Sequence, residues 1–383
     1  MLKQICPTIL ISKTPKPSRS TLAEMSTATM TSNRTTTNNH PRIITTQRAL
    51  ILSKPLSPPP YTLRIHHDSH IPTPEPTKGD HLIKVHSTAL CARELTWPAA
   101  FPDAIFSENP SKTVVPGYDL AGTVLTTEPA SPFNIGDKIY CRTLPNRPGN
   151  CRAYTIARTN EMALMPRNLS WEDAATVPLS ALTAWQCLFD KAGFKPGFGT
   201  LGNDAGEDPK GKKVLVTAAA GGVGVWLIQL ARMAGMEVVA QIGSQKNAEF
   251  VKRLGATKTV NYREETLKQW AEREGQVDLV IDSVGGKTLE QEWWAVREGG
   301  RIVGIFEPPE GRRPEELKEK NVKNEFFIMR PEGKQLQEIT KLVEQGRVET
   351  VKDSVWDFDE WEKAFERSDG GHTKGKVVIR VAK

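Results

Sequence analysis

Residues 213–231 read Lys-Val-Leu-Val-Thr-Ala-Ala-Ala-Gly-Gly-Val-Gly-Val-Trp-Leu-Ile-Gln-Leu-Ala: a β-rich apolar run, a turn of small residues and an apolar run at helical spacing, with no residue to spare between them. A strand that turns this sharply into a helix leaves bare backbone N–H groups at the helix start, where the positive end of the dipole favours an anion. Gly221, Gly222 and Gly224 keep side chains out of that turn. The spacing is Ala219-x-Gly221-x-x-Gly224, so alanine stands at the first position of the dinucleotide fingerprint G-x-G-x-x-G. Context carries the reading, because a β-rich run precedes the turn and Val225, Ile228 and Ala231 share one face of the helix that follows. The stretch from Val214 to Ala231 is also uncharged for 18 residues, enough to raise a membrane span. Its glycine-broken middle argues against one.

A second strand is expected next, and its end meets the adenosine ribose, where an acidic residue selects NAD and its absence admits the 2′-phosphate of NADP. Residues 237–242 form that strand, and no Asp or Glu occurs from Val238 to Ala248. NADPH therefore fits better than NADH. Ser244 would hydrogen-bond a phosphate oxygen and Lys246 would pair with it, while Ser244 is equally placed to cap a helix. Tyr262, at the end of the next strand, either reaches the same phosphate or packs. Strands at 258–261, 277–282 and 301–306 alternate with helices at 264–274 and 289–297, the signature of a doubly wound parallel sheet. Val284 and Ile305 then fall on the cofactor rim at the strand ends.

At 383 residues the chain exceeds one ordinary core, and two domains are expected. Residues 1–41 hold five cations against one acid and are rich in Ser, Thr, Asn and Pro, so they read as a disordered tail or a mitochondrial transit segment. That tail supplies most of the net charge of +6, which leaves no basic face for nucleic acid. The five cysteines are odd in number and widely spaced, with no C-x-x-C pair, which argues for a reducing compartment and against a ribbon-type zinc. Residues 41–163 change to short β-rich runs at 81–86, 122–126, 137–141 and 153–156, those of a small barrel. The last run, 376–381, lacks a crossover helix of its own and is expected to return to that barrel, making the nucleotide domain an insertion. The glycine-rich loop 194–212 reads as a mobile surface insertion, the charged run 307–320 as an exposed loop. Trp293 and Trp294 share a helix, one for the core and one for a partner.

Seven segments now stand in order: 115–124 (VPGYDLAGTV), 135–140 (IGDKIY), 174–185 (AATVPLSALTAW), 218–224 (AAAGGVG), 299–303 (GGRIV), 334–336 (KQL) and 375–378 (GKVV). With them the chain resembles the medium-chain dehydrogenase/reductase superfamily, specifically its zinc-free quinone oxidoreductase branch, the zeta-crystallin-like proteins, from about Arg48 to Val381. The resemblance implies an α/β fold in which a GroES-like β-barrel catalytic domain (42–185 and 329–383) carries an inserted Rossmann-type sheet (186–328) that binds NADPH. Zinc-dependent members hold the metal with two cysteines and a histidine, and those positions fall here on Cys91, Tyr118 and Ser180, one ligand of three.

The activity implied is NADPH-dependent reduction of a quinone or of the C=C of an α,β-unsaturated carbonyl, without metal. Ala219, Gly221, Gly222, Val223 and Gly224 would hold the pyrophosphate, and Thr183 matches a family position near the nicotinamide. Tyr118 is the first candidate for a donor to the carbonyl, with packing and protonation by solvent as the alternatives. Where relatives carry N-P-x-D beside the nicotinamide ribose, this chain has Cys91-Ala-Arg-Glu94, and Cys91 is read as either a reactive thiol or a small core residue. Two other functions fit the same residues: a silent NADPH-binding module and a trans-acting enoyl reductase of a polyketide pathway. A homodimer through the sheet edge at 326–328 and a location in the cytoplasm, or in mitochondria if the tail is a transit segment, complete the expectation.

Overall fold

The computed structural model describes residues 45–57, 61–198 and 205–382. The opening tail and the centre of the 194–212 loop lie outside the described residues. Strands β1 (Thr46–Ser53) and β2 (Thr62–His70) pair antiparallel. Next come β3 (Asp80–Leu90), β4 (Asp119–Val124), β5 (Lys138–Arg142), β6 (Tyr154–Arg158) and β7 (Met162–Leu164). Ile83 and Val85 of β3 are fully buried while Lys84 between them is exposed, the period-two pattern of a sheet with one face on a core.

The nucleotide half contains β8 (Lys213–Val216), β9 (Glu237–Ile242), β10 (Lys258–Asn261), β11 (Val277–Asp282), β12 (Val296–Gly304) and β13 (Lys323–Phe326). Their order is β10-β9-β8-β11-β12-β13, all parallel. Strand order reverses between β8 and β11, and in such sheets the ligand crevice opens there, at the carboxyl ends. The uncharged stretch of 213–231 is divided between β8 and the helix Gly222–Met233, which packs against the buried helix Pro178–Trp185. Burial from both sides explains its continuous apolarity. Among the described residues no helix is long and apolar enough to cross a membrane.

The last strands, β14 (Lys352–Asp357) and β15 (Lys376–Arg380), run parallel, and β15 pairs antiparallel with β3 through Val377↔Leu90. The return to the barrel sheet is as expected. The missing crossover is not: helix Trp361–Asp369 joins the two strands, and its polar face hid it, since only Ala364, Phe365 and Ser368 are buried. The described start of the 194–212 segment is also less loose than its glycines suggest. Phe194 is buried, and Phe198 meets Trp185 and Phe189 edge-on, so hydrophobic burial holds that part to the core. Trp293 is fully buried under the Arg313 guanidinium, whereas Trp294 is covered by the Lys268 ammonium at 3.8 Å.

Candidate active site

The turn after β8 is held from both sides. Thr217 Oγ1 accepts from Ser283 N at 3.0 Å, which ties the ends of β8 and β11 together. Ala218 adopts φ +45, a left-handed conformation that costs a non-glycine residue ~1–2 kcal/mol. No side chain caps the helix that begins at Gly222, so its first N–H groups stay available to an anion.

The three glycines serve three different ends. A Cβ on Gly221 would meet only Ala218 O, at 3.2 Å, so this residue faces open space where a phosphate can approach. A Cβ on Gly224 would lie 2.6 Å from the carbonyl oxygens of Ala218 and Ala219, so its absence lets helix and strand pack. The space left by Gly222 is taken by the protein itself, since a Cβ there would meet Lys376 Cδ at 2.9 Å and Ser180 Oγ at 3.0 Å. Ala219 is buried between them, and Val223 is half-buried.

At the end of β9, Ser244 caps helix Gln245–Leu254, its hydroxyl accepting from Asn247 N at 3.3 Å. Lys246 is exposed one residue into that helix. Tyr262 is 55% exposed and lies on the same turn, because a Cβ on Gly243 would come within 2.5 Å of its phenol oxygen. Ser244, Lys246 and Tyr262 thus surround one turn, and the Arg263 guanidinium, 5.8 Å from the Tyr262 ring centre, adds a second cation that sequence reasoning passed over. Further along the rim, Asp282 accepts from the N–H of Val284 and of Gly285, at 3.0 and 2.9 Å. Val284 is exposed and Ile305 half-buried there, and Ser283 Oγ is buried without a partner among the described residues.

The opposite wall comes from the barrel. Glu94 is buried and accepts from Cys91 N at 2.9 Å and from Gly117 N at 2.8 Å, locking the two loops together. Burial pushes its carboxyl up to about 7, against the pull of those two N–H groups. Asp119 Oδ1 accepts from Leu179 N at 2.7 Å, and its Oδ2 pairs with Lys376 Nζ at 3.0 Å. The same ammonium lies 2.9 Å from Cys91 Sγ. Burial pushes the Cys91 thiol up to about 11 in spite of the neighbouring Lys376, which leaves it protonated at neutral pH. Tyr118 is buried, stacked on Trp97 with ring centres 5.7 Å apart and the Arg142 guanidinium 5.8 Å from its ring centre. Burial raises its phenol above the ordinary value. Thr183 is buried too, and its hydroxyl donates to Leu179 O in its own helix at 2.6 Å.

Gly375 N donates to Ala220 O at 2.9 Å, so the start of β15 is fastened to the glycine turn and Lys376 lies between the two walls. Across the mouth, the Arg93 guanidinium sits 5.6 Å from the Phe306 ring centre.

Comparison with known proteins agrees with this fold. Residues 77–184 match the alcohol dehydrogenase GroES-like domain and residues 254–379 the zinc-binding dehydrogenase family. The chain is 46% identical over 314 residues to a protein of Arthroderma benhamiae named "Probable zinc-binding oxidoreductase, mitochondrial", covering 81% of this chain and 91% of that one. The chain belongs to the medium-chain dehydrogenase/reductase superfamily, in its quinone oxidoreductase-like branch. As a member of this superfamily it is an NAD(P)H-dependent oxidoreductase. A chloroplastic NADPH-dependent alkenal/one oxidoreductase of Arabidopsis thaliana is 29% identical over 325 residues, 82% of this chain and 75% of that one. The quinone oxidoreductase of Coxiella burnetii superposes with a TM-score of 0.73 at 29% identity, over 88% of this chain and 99% of its own.

The structure brings Ala219, Gly221, Gly222, Val223 and Gly224 onto one turn and Ser244, Lys246 and Tyr262 onto another. Asp119 and Lys376 were passed over as site residues, although both sit in segments quoted for the family likeness, 115–124 and 375–378. The signal available was a charged residue within an otherwise apolar run, which a buried strand admits only with a partner.

Proposed function

We propose that this oxidoreductase is NADPH-dependent and zinc-independent, and that it reduces a quinone or the C=C of an α,β-unsaturated carbonyl. The observation that carries the reading is the donor set facing the glycine turn. Where zinc relatives place three ligands, this wall presents a protonated thiol, a phenol and a hydroxyl, with the Lys376 ammonium 2.9 Å from the thiol. Catalytic zinc needs three protein ligands. A cation already paired to the one thiol leaves the ion neither charge nor ligands, and among the described residues no three His, Cys, Asp or Glu side chains gather as a metal site. The zinc in the matched family's description and in the fungal relative's name is therefore not carried over.

NADPH, when bound, supplies the hydride. Residues Ala219, Gly221, Gly222, Val223 and Gly224 offer it N–H groups and a close approach, and Ser244, Lys246 and Tyr262 offer its 2′-phosphate a hydroxyl, a cation and a phenol. Thr183, Val284 and Ile305 border the nicotinamide end. Tyr118, kept protonated by burial, donates a hydrogen bond toward the acceptor's carbonyl oxygen.

The test is a steady-state assay of NADPH consumption against a panel of quinones and enones, with zinc measured on the same protein. Turnover at less than about 0.1 zinc per chain is expected. NADPH binding without oxidation of any acceptor would instead assign a silent module, and turnover confined to carrier-tethered enoyl groups a trans-acting enoyl reductase. The mitochondrial name of the fungal relative favours reading residues 1–41 as a transit segment, tested by fusing them to a fluorescent reporter.

A further inference from the structure

Lys376 has only 5% of its surface exposed, and a charged ammonium so placed costs several kcal/mol unless partners offset it. Asp119 at 3.0 Å offsets the charge, and Cys91 Sγ takes a second N–H at 2.9 Å. An ammonium has three N–H groups. Asp119 and Cys91 account for at most two of them. The lysine stem lies against Gly222, and Ser180 Oγ, buried and without a partner among the described residues, meets the same point. The stem of a partly satisfied ammonium and an unpartnered hydroxyl therefore meet beside the first residue of the fingerprint helix. Stability alone gives no reason for them, since apolar residues of similar volume commonly replace a buried ion pair at no loss, and Val377 and Val378 fill the next strand positions.

We propose that Lys376 and Ser180 form the oxyanion site for the acceptor, the ammonium acting where zinc relatives use their metal as Lewis acid. Hydride addition to the β-carbon of an enone moves the C=C electron pair through the α-carbon onto the carbonyl oxygen. The third N–H of Lys376 and the Ser180 hydroxyl meet that negative oxygen, and the α-carbon then takes a proton from water. On a quinone, the same groups meet the oxygen of the hydroquinone anion. This role deepens the reductase reading and rests on it.

Replacing Lys376 alone strands a buried carboxylate, so Lys376→Met is paired with a second variant that also carries Asp119→Asn. The double variant is expected to bind NADPH within about threefold of wild type while losing roughly 100-fold in kcat on an enone, the scale of one lost oxyanion donor. On benzoquinone, whose reduced anion is more stable, the loss is smaller; Lys376→Arg recovers part of it. A second readout needs no turnover: 4-nitrophenol bound to the NADP⁺-loaded protein titrates about one unit lower in wild type than in the double variant. Enone kcat within about threefold of wild type overturns the proposal, as does a tenfold weaker NADPH Kd with saturated kcat intact, which would give the charge to the cofactor's phosphates. If wild type reduces no acceptor, the reductase reading falls, and equal nitrophenol titration in both proteins overturns the role of Lys376 separately.

Discussion

The two walls of the cleft are built on opposite plans. The glycine-turn wall is local: β8, a turn and a helix follow in 21 residues, from Lys213 to Met233, and it presents uncapped main-chain N–H groups. The barrel-side wall is assembled from distant places, with Cys91 and Lys376 meeting across 285 residues of chain, and it presents side chains. A main-chain site is defined by where side chains are missing, whereas a side-chain site depends on compensated charge. Substitutions should therefore act by steric exclusion on one wall and through electrostatics on the other.

The largest effect is expected at Gly221. Gly221→Val fills the open side of the turn without touching the interior, so the fold should survive while NADPH affinity drops about 100-fold or more, as charged-oxygen hydrogen bonds worth ~1.5–3 kcal/mol each are lost. Gly224→Ala should do the reverse, lowering the melting midpoint because its methyl meets two carbonyl oxygens; calorimetry and NADPH titration of both variants show whether the glycines divide the work as stated.

Tyr118→Phe comes next and probes the other wall. A drop in kcat of about 100-fold with unchanged NADPH affinity is expected for a lost donor to the reacting oxygen; an unchanged kcat reduces Tyr118 to a packing partner of Trp97. Lys246→Ala should weaken NADPH by ~1–3 kcal/mol and leave NADH nearly unaffected, and equal losses for the two coenzymes would remove Lys246 from the 2′-phosphate.

The smallest effect concerns Glu94. Its carboxyl, ordinarily near 4.5, is raised to about 7 by burial, so the folded protein holds that proton more tightly than the unfolded chain does. Such a group adds stability that is complete below pH 4.5 and fades as pH rises toward 7. Glu94→Gln should flatten this decline by a few degrees in melting midpoint; identical pH slopes in both proteins would show that Glu94 titrates normally.

How well each part could be read in advance follows the same division. Strands at 237–242, 258–261 and 277–282 occupy the expected residues; the first and last are short, largely buried runs bounded by polar turns, and 258–261, the edge strand with only Val260 buried, was placed by the regular alternation of strand and helix. Helix 361–369 escaped notice because it buries little apolar surface, and the core position of Phe194 and Phe198 was masked by the glycines around them. Gly222 shows the limit most clearly. Its place in the turn was legible, yet its missing side chain makes room for a lysine more than 150 residues away, which no local pattern announces.

The order of amino acids by itself determined the glycine turn, the parallel sheet and the absence of an acid just after β9, because each depends on neighbours along the chain and on which side chains are too small or uncharged to interfere. The tertiary structure alone decided that Asp119, Cys91, Ser180 and Lys376 share one wall. A buried charge is tolerable only beside its partner, and which partner it meets is settled when β15 pairs with β3 and docks on the glycine turn.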